Sequence, residues 1–250
     1  MVAVTGIRGV ASPWCRTWKT GPVSPSGSIR SVNVGGAKAI GAKSGVSGID
    51  KQPVSGPVHV SVPASGASGM NGDTICDIRN HGGPSQAVYA YSRQDLDWWE
   101  RRLGRQLLDG TFGENLTTIG LDVTGACLGE RWKVGEELVL AVTGPRIPCA
   151  TFAVWMHERG WLKAFTDRAR PGAYLRVLTP GWVREGDPIR VVDRPIHEVD
   201  VGLAFRALTR APELLPRLLD AGDDLEAELR ALARGGRGYE LDLEPDIEEP

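Results

Sequence analysis

Arg146-Ile147-Pro148-Cys149 sets a permanently charged guanidinium three residues from a thiol. The guanidinium fork can grip a phosphate through two hydrogen bonds. The sulfur can bind a soft or borderline metal. Pro148 restricts the backbone just before the thiol and holds the sulfur in a fixed place. A strand-like run, Glu137–Thr143, stops at Gly144-Pro145, which predicts a turn there with Arg146 and Cys149 on it. The pair suits one anionic, metal-bearing ligand. The plainer alternative is a buried cysteine beside a surface arginine.

Other stretches carry polar groups that could face the same ligand. Asn80-His81-Gly82-Gly83-Pro84 puts an imidazole in a turn whose glycines allow close backbone approach. Phe112-Gly113-Glu114-Asn115 is a second turn, where Glu114 or Asn115 could orient a ligand or cap nearby amides. Arg170 precedes Pro171-Gly172 and a strand, so it could reach the pocket or lie on the surface. Gly36 to Ser44 nearly spells a phosphate-binding loop, but Ala42 breaks the required Gly-Lys adjacency, which argues against a nucleotide triphosphatase. Lys43 and Lys51 remain as separate point charges. From Arg131 to Arg176 eight basic residues stand against four acids, which predicts positive charge around Cys149. Cys15, Cys76, Cys127 and Cys149 form no CxxC pair, and the histidines show no metal-ligand spacing, so a structural zinc site is not expected.

The elements that must position these residues are mostly short strands. With 250 residues, 41% hydrophobic and 24% charged, the chain can bury a sizeable core. Residues 1–30 lack acids and periodicity and read as a flexible extension, with order beginning near Ser31. Strands are expected at Val58–Val62, Ala87–Tyr91, Glu137–Thr143, Ala173–Leu178 and Ile189–Val192. One helix starts at Ser92, with Asp95 completing the cap, carries Leu96, Trp99 and Leu103 on one face, and stops at Gly104. The fold class is therefore mainly β with α, a β-barrel-like domain over residues 31–193. Three short helices follow over 194–235, capped by Asp200, by Thr209 with Pro212, and by Asp223, with leucine stripes that read as core. Residues 236–250 read as a disordered acidic tail. No apolar run approaches a membrane span, the charge balance of 29 basic to 31 acidic gives no reason to expect nucleic acid, and the thiols suit a reducing cytoplasm.

Several of these motifs recur in order. Gly48-Ile49-Asp50-Lys51-Gln52-Pro53, Gly72-Asp73, His81-Gly82-Gly83-Pro84, Gly113-Glu114-Asn115-Leu116 and Pro145-Arg146-Ile147-Pro148-Cys149 together resemble the MOSC family, named after the C-terminal domain of molybdenum-cofactor sulfurase. The helical appendix is similar to that of its YiiM-like branch. The resemblance implies a barrel whose pocket holds the molybdenum cofactor (molybdopterin), with Cys149 as metal ligand or sulfur carrier. It implies Arg146 as a phosphate or pterin contact and Lys51 as a second. His81, Glu114 and Asn115 fall on family motifs, and Arg170 is a further candidate contact. Ala150-Thr151-Phe152 departs from the bulky or basic residue expected after the thiol. The activity implied is reduction of small N-oxygenated substrates with electrons from a separate reductase. The alternative is a non-catalytic carrier of persulfide sulfur or of the cofactor.

Overall fold

Period-two runs of Val, Leu, Ala and Trp make strands with one buried face, and the computed structural model, which describes residues 26–241, closes seven of them into a barrel. The strands are β1 (Gly27–Val34), β2 (Lys38–Ala39), β3 (Val46–Ser47), β4 (Gln52–Pro53), β5 (Val58–Val60), β6 (Val88–Ser92), β7 (Leu116–Ile119), β8 (Arg131–Val134), β9 (Leu138–Pro145), β10 (Ala173–Thr179), β11 (Gly181–Val183) and β12 (Pro188–Asp193). The helices are α1 (Arg93–Leu103), α2 (Ala150–Met156), α3 (Trp161–Arg168), α4 (Val201–Thr209), α5 (Leu215–Leu218) and α6 (Ala227–Gly235). Barrel order is β12-β8-β9-β10-β6-β7-β1, and Gly27 opposite Ile189 closes β1 onto β12. All barrel pairs are antiparallel except β6 with β7. That parallel pair needs a crossover, which α1 supplies.

The α1 start follows the expected capping. Ser92 Oγ accepts from the Asp95 amide at 3.1 Å, and Gly104 ends the helix in the left-handed region. Three expectations are corrected. Order begins earlier than Ser31, because Gly27 to Ile29 already pair in β1. The turn does not fall at Gly144-Pro145, because β9 continues through both and pairs them with Tyr174 and Ala173. Thr143 is the extra residue of a bulge there, which bends the strand end. Residues 150–168 form α2 and α3, which the strand-rich reading of 31–193 did not contain.

The C-terminal helices do not stand apart from the barrel. Leu203, Leu208, Leu215, Leu218 and Leu229 share one apolar cluster with Val88, Trp132, Leu140 and Leu175 of the strands. The third helix starts at Ala227, later than an Asp223 cap would place it, because Gly222 at positive φ kinks the preceding turn. Part of the expected tail is also fixed: the Tyr239 amide donates to Leu208 O at 2.7 Å and its hydroxyl to Glu228 at 2.9 Å. The remainder, like residues 1–25, lies outside the described residues. Among the described residues no helix is long and apolar enough to cross a membrane.

A second, aromatic cluster underlies α2 and α3. Trp161 is buried against Trp99 at 4.6 Å between centroids, with Phe112, Phe152 and Phe165 around it. Trp161→Ala should cost about 3–5 kcal/mol in urea-unfolding stability, the usual price of emptying such a site.

Candidate functional site

One end of the barrel, where β9 leaves and β10 enters, opens into a cavity continuous with solvent. Its wall is assembled around Asp73, whose side chain is fully buried. Oδ1 accepts from the Gly35 amide at 2.9 Å and from the Lys51 ammonium. Oδ2 accepts from Ser68 Oγ at 2.7 Å and Asn115 Nδ2 at 3.0 Å. Four donors from four segments satisfy one carboxylate, the condition under which a buried charge is tolerated. Gly48 is required nearby, since a Cβ there would sit 2.1 Å from Thr74 O.

Arg146 and Cys149 come off the end of β9 into this cavity. Arg146 is only 5% exposed, and its guanidinium carbon lies 3.8 Å over the Phe152 ring. Its Nη1 is buried with no hydrogen-bond partner among the described residues. A ring face stabilises a cation but accepts no N–H hydrogen bond of ordinary strength, so an acceptor is still wanted. Cys149 is half-buried and is the residue from which α2 starts. Burial disfavours its thiolate, but a hydrogen bond from His81 and the charge of Arg146 outweigh that, and the thiol is brought down to about 7. His81 Nδ1 is also 3.4 Å from Tyr174 Oη. Burial, against the pull of Arg146, pushes the Tyr174 phenol up to about 12, so it keeps its proton.

Five of the expected site residues therefore line one cavity: Arg146, Cys149, Lys51, His81 and Asn115. Two do not. Glu114 is fully buried beside the wall and closes a turn, accepting from the Gly110 amide at 2.7 Å, the Phe112 amide at 2.9 Å and Thr117 Oγ1 at 2.9 Å. Arg170 points elsewhere, bridging Asp95 at 3.1 Å and Asp122 at 2.7 Å. The expected field around Cys149 is also narrower than the count of basic residues implied. Arg131, Lys163, Arg168, Arg170 and Arg176 each pair with a carboxylate, and of the eight only Arg146 lines the cavity. Lys43 is exposed on the β2–β3 turn and lies off the cavity, while the adjacent Ser44 lines it.

The structure adds residues that motif reading left without a role. Asp73 stands in the Gly72-Asp73 motif, yet nothing in that dipeptide signals a four-donor hub. Tyr174 reaches the cavity from β10, and Phe152, three residues after the thiol, carries the guanidinium.

The chain is similar to several known proteins. A family model described as MOSC domain matches residues 77–190. YflK of Bacillus subtilis, an uncharacterized protein, is 31% identical over 181 residues, covering 72% of this chain and 79% of YflK. A protein named reductase from Gibberella moniliformis is 33% identical over 80% of this chain, but the match spans only 35% of that protein. YiiM of Escherichia coli is 30% identical over half of this chain and 57% of its own length. The crystal structure of YiiM from Geobacillus stearothermophilus superposes with a TM-score of 0.68 at 28% identity, over 84% of this chain and 98% of that one.

Two measurements check this account. Iodoacetamide labelling of Cys149, read by peptide mapping, should rise with pH through a midpoint near 7, and His81→Ala should move that midpoint upward, because the lowered thiol loses its hydrogen-bond donor. Glu114→Gln should cost about 1–3 kcal/mol of stability, since an amide nitrogen would face backbone donors, while Cys149 labelling stays unchanged.

Proposed function

The chain belongs to the MOSC domain family, and from that premise we propose that its cavity binds the molybdenum cofactor and reduces small N-oxygenated compounds such as hydroxylamines and N-hydroxylated bases. The observation that carries the reading is the convergence of a low-pKa thiol and a buried guanidinium with an unpartnered N–H on one cavity. Those groups fit the ligand's chemistry. Thiolate sulfur is a donor for a soft or borderline metal, and a guanidinium fork suits a phosphate or an anionic pterin edge. The cofactor supplies the two-electron redox chemistry when bound.

The protein's own part is positioning and charge. Cys149 holds the metal. Arg146, kept in place by the Phe152 ring, anchors the anionic end of the ligand. Lys51 adds a cation whose position is fixed by Asp73. Its charge is already matched by that carboxylate, so Arg146 supplies the net attraction. Reduction of an N–OH group to N–H and water consumes two electrons and two protons. Tyr174 Oη holds an exchangeable proton at the cavity wall, 3.4 Å from His81 Nδ1. Electrons come, in this proposal, from a separate reductase. The fungal relative named reductase supports a redox role for the segment it shares with this chain.

Protein produced in a host that makes the cofactor should carry stoichiometric molybdenum and pterin. Cys149→Ser should abolish hydroxylamine reduction while leaving the circular dichroism spectrum intact. Arg146→Ala removes charge-assisted hydrogen bonds worth about 1.5–3 kcal/mol, so cofactor affinity should fall roughly ten- to a hundredfold. Undiminished turnover by Cys149→Ser would remove the thiol from the mechanism. Protein lacking metal and pterin but bearing an added sulfur atom on Cys149 would instead identify a persulfide carrier.

A further inference from the structure

Among the described residues two thiols, not one, line the cavity. Cys76 lines the same space as Cys149, from the loop between the Asp73 hub and His81. Cys127, by contrast, is buried away from the cavity with its sulfur against His197 O at 3.7 Å. Arg146, whose buried Nη1 has no hydrogen-bond partner among the described residues, and Thr151 line the same space. A sulfur nucleophile, a second thiol and an unmatched cation make up the parts needed to split a small oxygen–oxygen bond. We propose that in the cofactor-free protein this cavity reduces hydroperoxides, with Cys149 as the reacting thiol and Cys76 as the thiol that resolves it.

The steps balance. Cys149 sulfur attacks one oxygen of hydrogen peroxide, an S–O bond forms as the O–O bond breaks, and the departing oxygen takes the thiol proton and leaves as water. Negative charge develops on that departing oxygen, which the positive charge of the Arg146 guanidinium at the cavity wall stabilises. Cys76 sulfur then attacks the sulfenic sulfur, an S–S bond forms, and the S–O oxygen leaves as a second water with the Cys76 proton. Peroxide gains two electrons and the thiol pair loses two.

The loop permits the second step. A disulfide brings its two Cα atoms to about 4.4–6.8 Å. Thr74 and Asp77 are tied on either side of Cys76, by the bond from the Thr74 amide to Gly35 O at 2.8 Å and by that from the His81 amide to Asp77 O at 3.0 Å. Among the described residues Ile75 and Cys76 themselves make no backbone hydrogen bond, so the short span between those ties can shift toward Cys149. This inference stands on the side chains alone and does not require the cofactor reading.

The test uses the full chain purified from a host unable to make the cofactor, in a Cys15→Ser background so that only the three thiols of the described residues remain. One equivalent of hydrogen peroxide should be consumed per chain, two thiols should disappear, and non-reducing peptide mapping should recover an intrachain Cys76–Cys149 link that dithiothreitol reverses. Cys76→Ser should leave Cys149 as a sulfenic acid trapped by dimedone, Arg146→Gln should slow peroxide consumption about tenfold or more, and Cys127→Ser should change neither. Peroxide consumption no faster than that of free cysteine, or a link joining two chains, would overturn the proposal. So would Cys149 sulfenic acid in the unmodified dithiol pair that persists beside a free Cys76.

Discussion

The cavity depends on one buried carboxylate. Asp73 draws donors from Gly35 at the end of β1, from Lys51 before β4, from Ser68 and from Asn115 before β7. Each of those segments is irregular, and the carboxylate ties them to one another. An unsatisfied buried carboxylate is costly, so all four must stay close for any to be stable. Asn115 carries the constraint further, accepting from the Tyr89 amide at 3.1 Å and so locking β6 to the wall. Lys51, with its charge committed to Asp73, is a structural cation first. That leaves the electrostatics of the space to Arg146.

Arg146 solves a different problem. A guanidinium removed from water needs either a carboxylate or another polarisable partner. The protein gives it Phe152 at 3.8 Å, with Phe165 behind at 5.9 Å. Aromatic faces offset part of the lost hydration without neutralising the charge. A carboxylate in the same place would make a better-satisfied arginine and a poorer anion site. The aromatic cluster around Trp161 is therefore more than packing, because it fixes α2 and α3 so that Phe152 stays under the guanidinium and Cys149 stays at the start of α2.

The parts legible in the sequence were those written in local code. Ser92 and Gly104 bracket α1 because capping needs only residues three or so apart. The alternation in β9 and β10 marks strands because one face is buried, and the ordered motifs bring Arg146, Cys149, Lys51, His81 and Asn115 to one end of a barrel. What could not be read locally depends on long-range pairing. Gly144 and Pro145 look like a turn but remain in a strand because β10 supplies the partner. Residues 150–168 carry Phe and Trp that suit strand or helix, and only the aromatic cluster decides for helix. Glu114 takes the capping alternative, with partners two to four residues away in its own turn, whereas the carboxylates that hold Arg170, Asp95 and Asp122, lie in segments that sequence spacing does not bring together.

Asp73 and Cys76, three residues apart, divide the cavity wall into a part that cannot move and a part that can. A carboxylate with four donors pins its backbone, and a stretch without backbone hydrogen bonds is held less firmly. Rigidity is needed where a bound anion must meet fixed cations, since misplacing a charged contact forfeits most of its value. Freedom is needed where two sulfurs from different loops must approach, since disulfide geometry is narrow. Both demands are met within one loop because the hub ends at Thr74 and the imidazole turn begins at Asp77. The same aromatic-backed cation serves either occupant, a phosphate-bearing ligand or the oxygen leaving a peroxide, because in both cases what it meets is a localised negative oxygen in a space with no other unmatched positive group among the described residues lining it.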